Sequence, residues 1–274
     1  MKYKILILSN KDNEEIIEDI YLKERFKKDG NICDIKWVDY DEKLDDYYDI
    51  IIRRNTWVGN SKDTKSYKSL DGLLIERLVN KKAKTVNLQG LDGKGKEYLL
   101  DFYRKGLKVI PTSNDLNEAL NWNYDKYVLK QINSFGSSIG QAYVSKDELK
   151  EKFNKDKYLI QPKLKFKSEV QTYFINSKLM YAFEYIPSKY PVYPDPIYIN
   201  LSKEEEKLAT LFSSLSNIKY GMKRVDFLRL EDNSLVLLEI EDNAPHMSLE
   251  ELDEKYRNKV IDEYVKGIYE FIEK

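Results

Sequence analysis

The sequence predicts an α/β plus α+β fold, in which a small doubly wound N-terminal domain precedes a larger unit with antiparallel sheets. Three observations predict it. Strand and helix patterns alternate over residues 1–90, a Gly-rich basic loop changes the pattern near residue 90, and from Lys126 onward apolar strands are joined by tight turns. The length of 274 residues is typical of two modules that share one continuous core.

The N-terminal region begins as a βαβ unit. Residues 5–8 are an uninterrupted apolar run of the kind that parallel sheets bury. Asp12 and Glu15 have the spacing of a capping box, and Gly30 is placed to end the helix that follows. The next predicted strands are Ile32–Val38 and Ile50–Ile52. Right-handed crossovers between such strands predict a parallel sheet.

The second half is predicted to be mainly antiparallel. A helix through Phe102 is expected to end near Gly106, before a short strand at Leu107–Ile110. Turn residues at Asn176-Ser177 and at Glu231–Ser234 separate apolar strands, which indicates two hairpins.

Three later helix starts share one signature, a Ser followed three residues on by a Glu. The pairs are Ser145 with Glu148, Ser202 with Glu205, and Ser248 with Glu251. Residues 187–200 contain four of the seven prolines. Proline excludes a helix or a central strand there, so we expect a rigid extended loop.

Composition excludes several classes of protein. Lys and Arg total 46 against 47 for Asp and Glu, a balance that argues against a nucleic-acid partner. The only cysteine, Cys33, and the only histidine, His246, are too few for an intrachain disulfide, a thiolate cage or a His-based zinc site. The N-terminus resembles a strand more than a signal peptide, and no apolar run approaches membrane-helix length. We therefore expect a cytoplasmic protein with no membrane partner.

The sharpest chemical signal is a pair of short motifs on adjacent predicted strands, Arg224-Val-Asp226 and Glu239-Ile-Glu241. Side chains two residues apart on a strand share a face, so the hairpin can place three carboxylates together. Carboxylates without His or Cys suit Mg²⁺ or Mn²⁺. Arg224 can donate to a phosphate or a developing oxyanion. The alternative is the solvated face of an ordinary hairpin.

Two further segments have features of nucleotide sites. Lys130 ends an apolar strand before a Gly/Ser loop at residues 133–140, whose amides and hydroxyls can bind phosphates, although such loops are also ordinary turns. Residues 158–164 form a strand that ends in a proline-containing hinge, with Glu169 shortly after it. Unpaired backbone groups at such a hinge can bind an adenine edge. Considered singly, the hinge is only a strand terminus.

In this order the motifs resemble the ATP-grasp superfamily, and within it the glutathione-synthetase-like carboxylate-amine ligases. The passage from Lys96-Glu-Tyr-Leu-Leu to Val109-Ile-Pro-Thr112, the strand end Ile52–Trp57, and Glu239-Ile-Glu241 followed by Pro245 are similar to passages of that family. The resemblance implies an N-terminal domain at 1–90, a linker helix with a lid subdomain at 91–164, and a central subdomain at 165–274.

The resemblance also implies roles for individual residues, with ATP and Mg²⁺, or alternatively Mn²⁺, as cofactors. Asp226, Glu239 and Glu241 would bind the metal, and Arg224 would stabilise the acyl phosphate and the tetrahedral intermediate. The residues that would bind ATP are Lys96, Lys130, Ser137, Ser138, Gln161, Pro162, Lys163, Leu164 and Glu169. Candidate substrate contacts are Arg53, Trp57 and Lys189.

The implied activity is an ATP-dependent ligase that activates a carboxylate as an acyl phosphate for capture by an amine, with release of ADP and phosphate. Its partners would be small-molecule or peptide acids and amines, and homodimers are common in the family. One departure concerns the acceptor site, because no arginine occurs between Tyr181 and Lys223. The alternatives are a small-molecule kinase of the same fold and a non-catalytic nucleotide-binding protein.

Overall fold

The computed structural model describes residues 2–9, 16–37, 47–54, 83–86, 90–91, 95–132, 141–187, 195–242 and 245–274. Within these ranges the strands form three sheets. One is parallel and two are antiparallel. This arrangement confirms the predicted combination of an α/β sheet with antiparallel sheets.

The N-terminal sheet has four parallel strands in the order β2-β1-β3-β4. Its strands are β1 (Lys4–Ser9), β2 (Ile32–Trp37), β3 (Ile50–Arg53) and β4 (Lys84–Val86). Ile5 and Ile7 pack into one apolar cluster, and Leu6 and Leu8 into another, so both faces of β1 are covered. Helix α1 (Ile16–Lys28) ends before Gly30, which has a φ of +84°. Both Asp12 and Glu15 lie outside the described residues.

The middle of the chain contains helices α2 (Tyr98–Arg104) and α3 (Leu116–Asn121), then a three-stranded sheet with helix α4 (Lys146–Lys152). The strands β5 (Lys126–Gln131), β6 (Gln141–Ser145) and β7 (Tyr158–Pro162) have the order β6-β5-β7.

The prediction of a strand at Leu107–Ile110 is wrong. This segment makes a single parallel bridge, from Val109 to Leu237. The backbone groups that reach across are the Lys108 carbonyl and the Ile110 amide, and both bond to Leu237. With one partner residue, the segment covers a sheet edge without becoming a strand of the sheet.

The largest sheet has five antiparallel strands in the order β10-β9-β8-β11-β12. The strands are β8 (Phe166–Ile175), β9 (Lys178–Tyr185), β10 (Ile197–Tyr198), β11 (Met222–Leu230) and β12 (Leu235–Glu241). Both predicted hairpins are confirmed, with positive φ angles of 50° and 65° at Asn176 and Ser177 and 68° at Asn233. Helix α5 (Lys203–Leu215) packs on one face of the sheet. Helix α6 (Glu254–Glu273) and the N-terminal sheet share a core with its other face.

Two of the three predicted capping boxes are confirmed, at Ser145 and Ser202. The third is wrong, because Ser248 has a left-handed φ of 48° and its hydroxyl lies 3.0 Å from the Tyr173 hydroxyl. Only a 3₁₀ turn, Leu249–Glu251, follows it. The true cap of α6 is Asp253, whose side chain accepts a hydrogen bond from the Tyr256 amide at 2.9 Å.

The proline-rich segment 187–200 is described at residue 187 and at residues 195–200. There it includes the two-residue edge strand β10, so the expected extended conformation is confirmed for that part. No helix in the described ranges is long and apolar enough to cross a membrane. The proposed domain boundaries at 90/91 and 164/165 stay a prediction.

Candidate functional site

The candidate site lies on one face of the five-stranded sheet, where strand register sets its geometry. On neighbouring strands β11 and β12, Arg224 lies opposite Glu241 and Asp226 lies opposite Glu239. Ligand oxygens of the three carboxylates all lie within 4.8 Å of one another. The period-two pattern of the two motifs predicts this convergence correctly, whereas the alternative of a solvated hairpin face does not hold for Asp226, which is 1% exposed.

Arg224 joins the carboxylates of its own face. Its Nε lies 2.9 Å from Asp226 Oδ1, and its Nη2 lies 2.9 Å from Glu241 Oε1. Burial lowers the pKa of Arg224, but the charges of Asp226 and Glu241 outweigh burial and hold that pKa well above its ordinary value. The guanidinium therefore stays a permanent positive charge between two acids.

Two lysines from other parts of the fold converge on Glu239. Lys130, on β5, places Nζ 2.7 Å from Glu239 Oε2, and Lys96, just before α2, places Nζ 3.1 Å from the same oxygen. Both lysines are almost completely buried. Burial raises the pKa of Glu239, but the lysine charges outweigh it and hold that pKa below its ordinary value.

The negative charges of the other two carboxylates, Asp226 and Glu241, are less fully balanced by nearby cations. Burial raises the pKa of Asp226, against the lowering effect of Arg224. Burial also raises the pKa of Glu241 to about 8, with further increases from Asp226 and Glu239 that Arg224 only partly offsets. A divalent cation among these oxygens would relieve that cost. The donor set consists of carboxylate oxygens alone, and it fits Mg²⁺ or Mn²⁺.

Glu169 lies on β8, two residues from Gln171, which is paired with Asp226 across the strands. Gln171 Nε2 donates to Glu169 Oε1 at 2.9 Å. Burial raises the pKa of Glu169, and the charge of Asp226 raises it further. Glu169 and Gln171 lie two residues apart on β8 and share a face, so Glu169 lies on the same face of the sheet as Asp226.

The hinge residues Gln161 and Pro162 end β7, beside the lysine-bearing strand β5, and Lys163 and Leu164 follow them. Gln161 is buried and donates from Nε2 to Thr112 Oγ1 at 2.9 Å. The expectation of unpaired backbone groups is wrong for Lys163, whose amide donates to the Lys126 carbonyl at 2.9 Å. Pro162 is buried as the last residue of β7, and Leu164 is half-buried just beyond it.

The candidate substrate contacts are only partly described. Arg53, at the end of β3, is 6% exposed and is therefore not the solvated charge that a strand end usually carries. The other predicted site residues that lie outside the described residues are Trp57, Ser137, Ser138 and Lys189.

Arg54 forms a buried network of contacts that the sequence analysis did not predict. It is 0% exposed and forms ion pairs with Glu18 and Asp19 of α1, the latter at 2.9 Å. It also donates to the Pro245 carbonyl at 2.8 Å. Glu18 in turn accepts the amides of Met247 and Leu249 at 3.1 and 3.0 Å.

This buried cluster attaches helix α1 and the end of β3 to the loop that follows strand β12. His246 belongs to it, because its Nε2 lies 3.4 Å from Glu18 Oε1 and 3.2 Å from Glu250 Oε1. Acidic groups therefore flank the His246 ring. The sequence does contain acidic residues in α1 and basic residues after β3. No periodic pattern, however, predicts that these residues form ion pairs with one another.

Comparisons with known proteins place this geometry in context. No family model matches the chain, and no curated protein sequence matches it either. Solved structures match over almost its whole length. D-cycloserine synthetase DcsG is 15% identical with a TM-score of 0.73, and the match covers 98% of this chain and 99% of that one.

Two more solved structures agree. The ATP-grasp ligase PsnB, complexed with a minimal precursor, is 12% identical with a TM-score of 0.69, over 97% of this chain and 100% of that one. A D-alanine–D-alanine ligase from Bacillus anthracis, complexed with ATP, is 15% identical with a TM-score of 0.65, over 99% of both chains. At these identities the likeness concerns the fold.

Proposed function

This chain has the ATP-grasp fold, and from that premise we propose that it is an ATP-dependent ligase that joins a carboxylate to an amine and releases ADP and phosphate. One observation carries the proposal: three carboxylates of β11 and β12 meet one arginine and two lysines that come from separate elements. The acids of an ordinary hairpin face would not be surrounded by buried cations from three elements.

The residues divide by the group that each would hold. Lys96 and Lys130 would bind phosphate oxygens of ATP, and Glu169 the ribose hydroxyls. When bound, Mg²⁺ would be held by Asp226, Glu239 and Glu241 and would supply charge that offsets the phosphates. The remaining ATP contacts we propose are Ser137, Ser138 and the hinge residues Gln161, Pro162, Lys163 and Leu164.

The chemistry needs no protein nucleophile. A carboxylate oxygen of the acid substrate forms a bond to the γ-phosphorus as the bond to ADP breaks, which yields an acyl phosphate. The amine then attacks the acyl carbon, loses a proton, and the tetrahedral intermediate expels inorganic phosphate to leave an amide. Arg224 would stabilise the oxyanion of that intermediate, which is an electrostatic contribution. Positioning supplies the rest.

The acid and the amine are proposed to be small molecules or peptides. Support comes from the solved structures of the same fold, which include a D-cycloserine synthetase, a D-alanine–D-alanine ligase and a ligase complexed with a precursor. We propose that Arg53, Trp57 and Lys189 contact the substrates. Arg53, buried at the end of β3, would contact the acid before activation.

The test is the stoichiometry of product formation. The protein is incubated with Mg²⁺, ATP and panels of amino acids and short peptides, and ADP, free phosphate and product mass are measured. One ADP and one phosphate per amide are expected, and hydroxylamine should trap the acyl phosphate as a hydroxamate. Formation of AMP and pyrophosphate would contradict the proposal, and phosphate retained on the product would indicate a kinase.

A further inference from the structure

Strand β12 carries two of the three carboxylates although it is the edge strand of its sheet within the described residues. Ile240 lies between Glu239 and Glu241, and its side chain is buried in the cluster on the opposite face. In an antiparallel pair, alternate residues direct both backbone groups toward the neighbouring strand or away from it. An outward-facing backbone at Ile240 needs a partner, because unpaired buried groups are costly.

The side chain of Tyr98 is the partner of both backbone groups of Ile240. Its hydroxyl accepts the Ile240 amide at 2.8 Å and donates to the Ile240 carbonyl at 3.3 Å. Both contacts are buried, and the ring packs edge-on against Phe102 with centroids 5.5 Å apart. The phenol thus takes the place of a neighbouring strand at this residue.

Tyr98 is also close in sequence to a proposed ATP ligand. Lys96, two residues earlier, contacts the Glu239 side chain at 3.1 Å. One short stretch of chain therefore contacts a carboxylate and the backbone beside it. The distance between Lys96 and the two glutamates is set by whatever holds this stretch against β12.

The same edge is held at two further points. Asp242, directly after β12, accepts the Leu91 amide at 2.8 Å. Leu237, near the start of β12, bonds to the Lys108 carbonyl at 2.9 Å and to the Ile110 amide at 3.2 Å. Tyr98 is the contact that falls between the two carboxylates, so it has the most direct effect on their spacing.

We propose that Tyr98 is a positioning residue for the metal and phosphate site, because its phenol fixes Ile240 and with it the relative placement of Lys96, Glu239 and Glu241. This inference rests on the proposed function. The Tyr98 hydroxyl bonds to the backbone of Ile240, so its effect is exerted through the residues on either side.

The experiment compares Tyr98→Phe with the unmodified protein, with Tyr103→Phe as the control. Tyr103 lies on the same helix, but its ring packs against Trp122 with centroids 5.9 Å apart. Mn²⁺ binding is measured in the presence of ADP from the electron paramagnetic resonance signal of free Mn²⁺. We expect Tyr98→Phe to weaken Mn²⁺ binding about tenfold, the effect typical of residues that orient metal ligands, and Tyr103→Phe to leave it unchanged.

Amide hydrogen exchange of the full chain provides a second measurement that needs no metal. In the unmodified protein the Ile240 amide should be as protected as the amides of β11, and in Tyr98→Phe its exchange alone should accelerate. An unprotected Ile240 amide in the unmodified protein would overturn the proposal even if the variant failed to fold. Equal Mn²⁺ binding by both proteins would overturn the positioning role alone. Absence of Mn²⁺ and ADP binding in the unmodified protein would overturn the proposed function together with this inference.

Discussion

Glu239 is the residue at which the charges of the candidate site converge. Its carboxylate forms ion pairs with both Lys96 and Lys130, and Glu239 lies opposite Asp226 on the next strand. Burial raises its pKa, but the lysines hold that pKa below its ordinary value. Glu239 therefore stays ionised at neutral pH, and its charge compensates two buried lysines.

Replacing Glu239 by Gln is expected to reduce ATP turnover by at least about 100-fold, because it removes a proposed metal ligand and leaves two buried ammonium groups without a counter-charge. Turnover is measured as ADP release. The control is Glu184→Gln, since Glu184 also pairs with a cation, Arg229 at 2.7 Å, but away from the site. Undiminished turnover in Glu239→Gln would rule out the assignment of the site.

The raised pKa of Glu241 predicts how the stability of the protein depends on pH. Its pKa is raised by burial from an ordinary 4.5 to about 8 in the folded protein. Between these values the folded state holds a proton that the unfolded state has lost, so stability falls as the pH rises from about 5 to 8. The pKa values of Asp226 and Glu169 are also raised, which adds to the same trend.

Thermal unfolding of the metal-free protein should therefore give a lower midpoint at pH 8 than at pH 5.5. Glu241→Gln cannot ionise, and we expect it to flatten this dependence. If the unfolding midpoint of Glu241→Gln still fell as much between pH 5.5 and pH 8, other groups would be the cause of the pH dependence. Mg²⁺ with ADP should flatten the slope in the unmodified protein, because the ion favours the ionised carboxylates.

At the scale of elements, residues 90–91 and 95–110 contact strand β12 and the residue that follows it. Asp242 is completely buried, and its Oδ2 accepts the Ser216 hydroxyl at 2.6 Å as well as the Leu91 amide. The close approach leaves no room at Gly90, where an added Cβ would lie 2.1 Å from Asp242 Oδ1 and 2.8 Å from its carbonyl oxygen.

Gly90→Ala should therefore destabilise the protein by about 3 kcal/mol or more, since it forces either the backbone or a bonded carboxylate to move. Urea unfolding measures the change. The control is Gly106→Ala, where nothing lies within 4 Å of an added Cβ and only the φ of +72° adds strain of about 1 kcal/mol. Equal losses in the two variants would contradict the close approach at Gly90.

Local patterns predicted most of the elements and the centre of the site. The alternation in Arg224-Val-Asp226 and Glu239-Ile-Glu241 determines which side chains share a face, and a hairpin determines which are opposite. Ser248 shows where local rules fail, because its pattern is that of Ser202 but its hydroxyl has Tyr173 as a partner.

The contacts that sequence reasoning missed join distant parts of the chain. Tyr98 and Ile240 are 142 residues apart, and Glu18 and Met247 are 229 residues apart. Neither pair is marked by periodicity, capping or turn chemistry, which are all local rules. Such contacts become visible only once the sheets and helices have been assembled.

At the scale of the whole molecule, buried Arg54 connects helix α1 to the loop after β12. Its partners include Glu18 and Asp19, both also 0% exposed. Breaking a buried ion pair leaves uncompensated charge, which is far more costly than losing an exposed pair.

Arg54→Met should cost about 3–5 kcal/mol in the free energy of unfolding, because two carboxylates would stay buried without their cation. The matched control is Arg25→Met, which also removes an arginine between two acids, Asp29 and Asp262, but at 28% exposure. The control should lose less than about 1 kcal/mol. Urea unfolding followed by circular dichroism compares them, and similar losses would contradict the structural role of Arg54.

The shared core of the N-terminal sheet and helix α6 has a consequence for biosynthesis. Val260, Tyr264 and Ile268 of α6 pack in the same cluster as Ile5 and Ile52. Lys84 of β4 donates to the carbonyls of Phe271 and Ile272. The ribosome makes the parallel sheet before the helix that completes its core, so we expect the nascent sheet to expose apolar surface until translation has passed α6. During that interval it would be a client for chaperones.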